Sequence, residues 1–362
     1  MTVEIDHITG AAVIITGGLL CDANGKTAHG LIRGGSRFEI LGVIDAPCAG
    51  RDAGEVLDGN FRNIPVFATL EEFLARGSHK PRYAIFGGAY SGGKLPPEMR
   101  GPLLNAMKHG LSVVCGLHEQ LGEDPEFKAA AEKYGVKVYD IRKPRSFKEL
   151  RFWSGEIFSV KAARVALLGM DCAVGKRTTG QFLVELCNNN GIKAEMIYTG
   201  QTGWMQVYKY GFMFDSTPND FVSGEMERAI VACERRSGPD IMFIEGQSSL
   251  RNPAGPCGSE ILLSGDAKGV ILQHMPSRKF FEDMERFGCL IPSVESEIEL
   301  IRMYGAKILA VTLNGWDSDE RQLIAHQKEL AKKVDCPVIR PLEEGVEILL
   351  PIIRDFIIEQ KK

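Results

Sequence analysis

The residues best suited to bind phosphate follow the apolar run at 163–168. A loop framed by Gly169 and Gly175 comes next and ends in Lys176, where a helix is predicted over 176–188. A strand, a glycine-framed loop closing on Gly-Lys and a helix are typical of a phosphate-binding loop, in which backbone N–H groups and the lysine meet the anion. The alternative is a turn with an exposed lysine. The predicted cofactor-binding residues are Gly169, Asp171, Cys172, Ala173, Val174, Gly175, Lys176, Arg177, Thr178 and Thr179.

The loop departs from the usual pattern at the residue after the lysine. Arg177 stands where a magnesium-binding Ser or Thr is usual, although Thr178 and Thr179 could partly substitute for that ligand. A guanidinium pairs well with phosphate. We therefore expect a phosphorylated cofactor that is bound without hydrolysis.

Two further segments belong to the same predicted site, because each ends a predicted strand. Glu245 follows the run 240–244 and begins a polar stretch that includes Gln247, and Thr202 lies in a hydroxyl- and amide-rich stretch after 192–198. Parallel sheets bind ligands at the carboxyl ends of their strands. We predict that Thr202 and Gln247 contact substrate.

Five side chains are candidates for acid–base chemistry or carboxylate binding. Glu245 is the preferred general base, and Asp220 and His274 are the other catalytic candidates. Arg251 and Arg278 are candidates for binding carboxylates, because a guanidinium matches a carboxylate in a fork. Each has a structural alternative: a helix cap for Asp220, a structural or metal-binding carboxylate for Glu245, a hydrogen-bonded core histidine for His274 and salt bridges for the arginines.

Short apolar runs alternate with helical patterns along the chain, which predicts an α/β fold with parallel sheets. Strands are predicted at 11–16, 38–44, 82–86, 111–116, 136–139, 163–168, 192–198, 240–244, 269–273, 307–313 and 337–340. Helices are predicted at 68–76, 97–109, 125–134, 176–188, 221–235, 294–304, 318–333 and 344–360. The segment 140–160 interrupts the alternation and is interpreted as a linker with a short helix. The prediction is a Rossmann-like domain over 1–155 and a P-loop NTPase-like domain over 156–362.

Composition excludes several classes of protein. The 362 residues carry 43 Lys and Arg against 47 Asp and Glu, a net charge of −4, so neither nucleic acid nor a membrane is the expected partner. Nine scattered cysteines without a C-x-x-C pair indicate reduced thiols and no zinc site. Acids and a histidine in the first seven residues argue against a signal peptide. We expect a cytoplasmic protein.

The loop and the strand ends together resemble the dethiobiotin-synthetase-like branch of P-loop proteins. The whole chain is more similar to a family that joins an N-terminal Rossmann-like domain to a C-terminal P-loop domain. The matching segments are GLHEQLGED (116–124), DIRKP (140–144), GMDCAVGKRTT (169–179), TGQTGW (199–204), DFVSGEMER (220–228) and IEGQSSL (244–250). Members of that family are D-glutamate N-acetyltransferases that use acetyl-CoA in D-amino-acid catabolism, and the resemblance implies the same reaction here.

Two other functions fit the same residues. In an ATP- and magnesium-dependent ligase or kinase, Glu245 and Asp171 would hold the metal. In a nucleotide sensor, the two domains would bind without turnover. Under the transferase interpretation acetyl-CoA is the co-substrate and no metal is required, whereas Mg-ATP enters only under the ligase interpretation. Small molecules are the expected partners, and a homo-oligomer is expected because it is common among cytosolic enzymes.

Overall fold

The protein is described by a computed structural model that covers residues 8–76 and 80–361. The acids and His7 that argue against a signal peptide lie outside the described residues. The chain forms two compact units. One runs to Pro144 and takes in Gln201–Val207, and the other comprises Arg145–Gly200 and Tyr208–Lys362. Both units contain a parallel sheet, so the α/β prediction is confirmed.

The N-terminal unit is built on six parallel strands. They are β1 (Gly10–Ile15), β2 (Phe38–Ile44), β3 (Val66–Phe67), β4 (Tyr83–Phe86), β5 (Ser112–Cys115) and β6 (Val138–Asp140). The helices are α1 (Lys26–Arg33), α2 (Ala53–Asp58), α3 (Leu70–Ala75), α4 (Pro97–Lys108) and α5 (Pro125–Tyr134). The strand order β3-β2-β1-β4-β5-β6 is that of a Rossmann fold.

Asp45 ends β2, where a Rossmann domain places an acid that binds ribose. Here the side chain serves the fold: one oxygen, Oδ2, accepts hydrogen bonds from the Thr16 hydroxyl at 2.6 Å and the Leu20 N–H at 2.9 Å. Asp45 therefore ties the end of β2 to the loop that follows β1.

The C-terminal unit is built on seven parallel strands. They are β7 (Ala163–Gly169), β8 (Ala194–Tyr198), β9 (Tyr210–Gly211), β10 (Ile241–Glu245), β11 (Gly269–His274), β12 (Lys307–Leu313) and β13 (Val338–Ile339), in the order β13-β12-β11-β7-β10-β8-β9. The helices are α6 (Lys176–Asn189), α8 (Asn219–Ser237), α9 (Ser259–Leu263), α10 (Val294–Met303), α11 (Glu320–Ala331), α12 (Pro341–Glu344) and α13 (Leu350–Gln360), while α7 (Gln201–Met205) belongs to the first unit. The central strands are buried along their whole length, which explains their continuous apolar sequence.

The units divide at residue 144, eleven residues before the boundary predicted at 155. The reason is that α8 holds the connecting segment. Glu225 accepts from Arg145 Nη1 at 2.5 Å and from the Arg151 N–H, and Glu227 accepts from the Ser154 N–H at 2.7 Å and the Ile157 N–H at 3.1 Å. The short helix expected in this segment is a 3₁₀ turn over Glu156–Ser159.

Within the described ranges, no helix has both the length and the apolar composition needed to cross a bilayer.

The anchoring role of Glu227 is testable by substitution. Glu227 is 4% exposed, and Glu227→Ala leaves the N–H groups of Ser154 and Ile157 without their acceptor. We expect a loss of about 2 kcal/mol in the free energy of unfolding, since buried donors lose a charged partner. Urea denaturation measures this, with Arg236→Ala, an exposed residue of the same helix, as the control. Equal stability of the two variants would contradict the anchoring role.

Candidate functional site

The loop between β7 and α6 is shaped by its two framing glycines. A side chain at Gly169 would place its Cβ 2.8 Å from Val174 and 3.0 Å from Lys176, so only glycine fits there. Gly175 has φ +104° and Ala173 has φ +52°, both in the left-handed region. Alternation between left- and right-handed residues turns successive N–H groups toward one side and forms an anion-binding concavity.

Side chains from other segments hold the carbonyl oxygens of this loop. The Asp171 carbonyl accepts from Lys176 Nζ at 2.7 Å, the Cys172 carbonyl from Arg278 Nη1 at 2.7 Å and the Val174 carbonyl from Asn314 Nδ2 at 3.0 Å. Among the described residues, the backbone N–H groups of Cys172, Ala173 and Gly175 donate no backbone hydrogen bond. The loop therefore keeps its donors available for an anion.

The side chain of Asp171 fixes the position of the loop. Its fully buried carboxylate accepts from Asn252 Nδ2 at 2.9 Å, from Arg278 Nη1 at 2.9 Å and from the Glu282 N–H at 2.8 Å. A buried charge is stable only when it is paired and hydrogen-bonded. Asp171 is thus bound to the segments after β10 and β11, and it supports the loop that was predicted to bind cofactor.

Lys176 is the buried cation of the loop. Its ammonium donates to the carbonyls of Asp171 and Ser248, both at 2.7 Å, and no carboxylate forms an ion pair with it among the described residues. Burial lowers the pKa of Lys176 because the charged form loses its hydration. A bound phosphate would supply the missing negative charge.

Arg177 and Glu245 form an ion pair at the position where a magnesium site was the alternative. Arg177 Nη1 lies 3.3 Å from Glu245 Oε1, and Glu245 Oε2 accepts from the Thr199 N–H at 3.0 Å. Gln247 donates from Nε2 to the Thr199 hydroxyl at 2.8 Å. One cluster therefore contains Glu245, Gln247, Arg177 and the end of β8. The sequence predicted that the polar residues at these strand ends lie in the same site.

The two threonines of α6 have different surroundings. The Thr179 hydroxyl donates to Gln273 Oε1 at 2.6 Å, and the Thr312 hydroxyl donates to the same atom at 2.6 Å. This buried network crosses from α6 to β11 and β12, so Thr179 stabilises the start of the helix. Thr178 is half-buried on the first turn.

The two arginines predicted to bind substrate carboxylates already carry acidic partners. Arg278 pairs with Asp171, as described above. Arg251 donates from Nε to Glu297 at 2.5 Å and from Nη2 to the Ser296 hydroxyl at 2.8 Å. Burial raises the pKa of Glu297, against the effect of Arg251. Both arginines thus support the loops that follow β10 and β11.

The remaining predicted residues lie on other elements. Asp220 is exposed on the first turn of α8, whose N-cap is Pro218, so Asp220 is not the cap. Thr202 belongs to the N-terminal unit, where its hydroxyl lies 3.4 Å from that of Thr27. His274 is buried with its ring 5.5 Å from that of His326.

Three site residues were not predicted. Asn252 and Asn314 hold the loop, and each follows a buried strand, which is the signal that could have identified them. Tyr208 is buried near Arg177 and Glu245, and burial raises the pKa of its phenol, so the O–H group is retained. No sequence pattern singles out Tyr208.

The strand orders and the loop define a P-loop α/β protein with a Rossmann-like N-terminal unit. Two family models match: the one described as "Domain of unknown function (DUF1611_C) P-loop domain" over residues 151–350, and the one described as "Domain of unknown function (DUF1611_N) Rossmann-like domain" over residues 46–144. The chain belongs to the DUF1611 family.

Curated relatives and a solved structure agree with this placement. A D-glutamate N-acetyltransferase from Tritonibacter scottomollicae is 27% identical over 284 residues, covering 76% of this chain and 81% of the relative. A second D-glutamate N-acetyltransferase, from a Pseudoalteromonas species, is 27% identical over 273 residues, covering 74% and 79%. The crystal structure of a DUF1611 family protein from Anabaena variabilis superimposes with a TM-score of 0.84 at 25% identity, covering 96% of this chain and 99% of that one. The family resemblance predicted from the motifs is confirmed.

The surroundings of His274 predict a pH-dependent stability. Burial, and then the neighbouring His326, lower the pKa of His274 to about 4. The unfolded chain binds a proton near pH 6.5 and the folded chain does not, so stability falls as the pH drops from 6.5 toward 4. Urea denaturation at pH 7 and at pH 5 gives the free energy of unfolding at each pH. We expect the difference between these two values to be about 2 kcal/mol smaller in His274→Gln than in the parent protein. The exposed His109→Gln variant is the control, and equal pH dependence in all three proteins would refute the assignment.

Proposed function

We propose that this chain transfers an acetyl group from acetyl-CoA to the amine of an acidic amino acid, with D-glutamate as the substrate. The names of the two curated relatives support the reaction and the substrate. The observation that carries the proposal is the Arg177–Glu245 ion pair beside an open phosphate loop, because it favours binding of a phosphorylated cofactor over transfer of its phosphate.

The loop suits the pyrophosphate of coenzyme A. The N–H groups of Cys172, Ala173 and Gly175 donate no backbone hydrogen bond within the described residues, and the N-terminus of the fourteen-residue helix α6 follows the loop directly. Lys176 adds a buried cation that, among the residues the structure describes, has no carboxylate partner. Donors, helix dipole and cation together recognise an anion of this kind.

The Arg177–Glu245 pair argues against a phosphoryl-transfer enzyme. In magnesium-dependent P-loop enzymes the metal is held by a hydroxyl after the lysine and by an acid at the end of a neighbouring strand. Here a guanidinium replaces the hydroxyl and neutralises the acid, and Asp171 is engaged by Asn252, Arg278 and Glu282. Both carboxylates of the ligase interpretation are therefore occupied by protein donors.

Acetyl transfer needs a base near the amine. Glu245 lies at the carboxyl end of β10, one strand from β7, with Thr199 and Gln247 beside it. In the proposed reaction Glu245 takes a proton from the substrate ammonium, and the amine nitrogen forms the amide bond as the carbon–sulfur bond of the thioester breaks. The coenzyme leaves as a thiolate, which takes the second proton that the nitrogen loses on forming the neutral amide and becomes the free thiol. The neighbouring N–H and amide groups are candidates for stabilising the oxyanion.

The first experiment is release of free thiol from acetyl-CoA without ATP or magnesium, with D- and L-amino acids compared. Release that depends on D-glutamate and survives a metal chelator supports the proposal. ADP formation from Mg-ATP with no thiol release would overturn it in favour of the ligase interpretation, and nucleotide binding without either product would favour the sensor.

Arg177→Thr separates the transferase from a magnesium enzyme. The change restores the usual metal ligand and removes the partner of Glu245, so we expect kcat/KM for acetyl-CoA to fall about tenfold, the effect of one lost charge-assisted contact. Thiol-release kinetics measure it, and Arg236→Thr, at an exposed position of α8, is the matched control. Unchanged transferase activity together with a gain of Mg-ATP hydrolysis would contradict the proposed role.

Glu245→Gln tests the base. Removal of a general base lowers kcat by about 100-fold or more, while the KM for acetyl-CoA stays near the parent value because the loop is intact. The residual rate should rise with pH, since solvent then supplies the unprotonated amine. A kcat within threefold of the parent would exclude Glu245 as the base.

A further inference from the structure

The turn after β12 is hydrogen-bonded to the phosphate loop and carries an exposed tryptophan, Trp316. Asn314 donates to the carbonyl of Val174 in that loop and, through Oδ1, accepts from the Trp316 N–H at 2.9 Å. The carbonyl of Trp316 accepts from the Ser277 hydroxyl at 2.7 Å, in the segment that also carries Arg278. Both backbone polar groups of Trp316 are therefore tied to the segments that hold the loop.

The turn itself is closed by the hydrogen bond from the Ser318 N–H to the Gly315 carbonyl at 3.1 Å, with Asp317 in the left-handed region at φ +56°. This fixes the backbone at Trp316, yet the residue is 48% exposed. A half-exposed aromatic side chain on a backbone that is held beside a binding loop is suited to stack on a planar ligand.

The other two tryptophans have protein partners. Trp204 is buried, with the guanidinium of Arg37 4.0 Å from its ring centre. Trp153 donates from its indole N–H to the Ser264 carbonyl and contacts the ring of Phe158. Among the described residues, no ring or cation stacks on Trp316, and its indole N–H has no hydrogen-bond acceptor. Its exposed face is open to a ligand.

The order of the strands in the sheet indicates in which direction such a ligand would extend from the loop. β12 is two strands from β7, about 10 Å at the usual strand spacing, which an adenosine group can span from a pyrophosphate in the loop. Glu245 lies on the opposite side, at the end of β10. A coenzyme with its pyrophosphate in the loop can thus direct its adenine toward β12 and its thioester toward Glu245.

We propose that the indole of Trp316 is the stacking platform for the adenine ring of the coenzyme. The inference rests on the proposed function for the identity of the coenzyme, but the stacking itself requires only an adenine nucleotide. Base–aromatic stacking is strong enough that its loss weakens binding about tenfold.

The test measures binding to the full chain by calorimetry, with coenzyme A and with ADP as separate probes. We expect Trp316→Ala to raise the Kd for coenzyme A about tenfold, while Trp316→Phe, which keeps an aromatic face, stays within about threefold of the parent. Turnover of S-acetyl-pantetheine, which lacks adenosine, should be equal in Trp316→Ala and the parent. Trp153→Phe, at a 40% exposed tryptophan with its own protein partners, is the matched control.

The outcomes separate the inference from the function it builds on. If the parent binds ADP but not coenzyme A, and Trp316→Ala weakens ADP binding, the stacking role stands and the acetyl-CoA proposal fails. If Trp316→Ala binds both probes as tightly as the parent, or if the parent binds neither, the stacking role is overturned. An equal loss in Trp316→Ala and Trp153→Phe would also overturn it, because the effect would then not be specific to this ring.

Discussion

The buried carboxylate of Asp171 is the constraint on which the candidate site depends. It has no access to water, so its charge must be balanced by protein donors, and these come from the segments after β10 and β11, the strands on either side of β7. One of the donors, Arg278, also binds the carbonyl of Cys172. The hydrogen bonds that stabilise this charge therefore also orient the loop.

The same need for charge balance explains why the three arginines of the candidate site are not free to bind any anion. Arg177, Arg251 and Arg278 each face a carboxylate on a different element: Glu245, Glu297 and Asp171. These pairs connect strand ends and loops, which aligns the polar edge of the sheet. Under the proposed function, the two carboxylates of the substrate would be bound by the donors that remain on these guanidinium groups, or by cations on other segments.

Local sequence patterns were sufficient to predict most elements of the C-terminal unit and the position of the loop. The strand 307–313 was predicted as observed, because a buried parallel strand has a continuous apolar sequence. The start of α6 at Lys176 was also predicted as observed, because a glycine-framed loop between a strand and a helix is typical of few other structures. Helix α1 was missed because its short sequence is polar at its start. The pairing of Arg278 with Asp171 joins residues 107 positions apart, and no local signal reports such a contact. For the same reason, the sequence could not show that Gln201–Val207 joins the N-terminal unit.

The unpaired charge of Lys176 links the stability of the loop to its affinity for an anion. Of the four cations considered, Lys176 is the one that faces only carbonyl oxygens in the described structure, and burial lowers the pKa of its ammonium. Keeping that charge unpaired costs free energy, which an anion in the loop recovers. Under the proposed function, binding of a pyrophosphate would raise the pKa of Lys176, and by linkage affinity would decline as the pH rises through the range in which the free lysine loses its proton. The cationic loop would then be most stable when it is occupied.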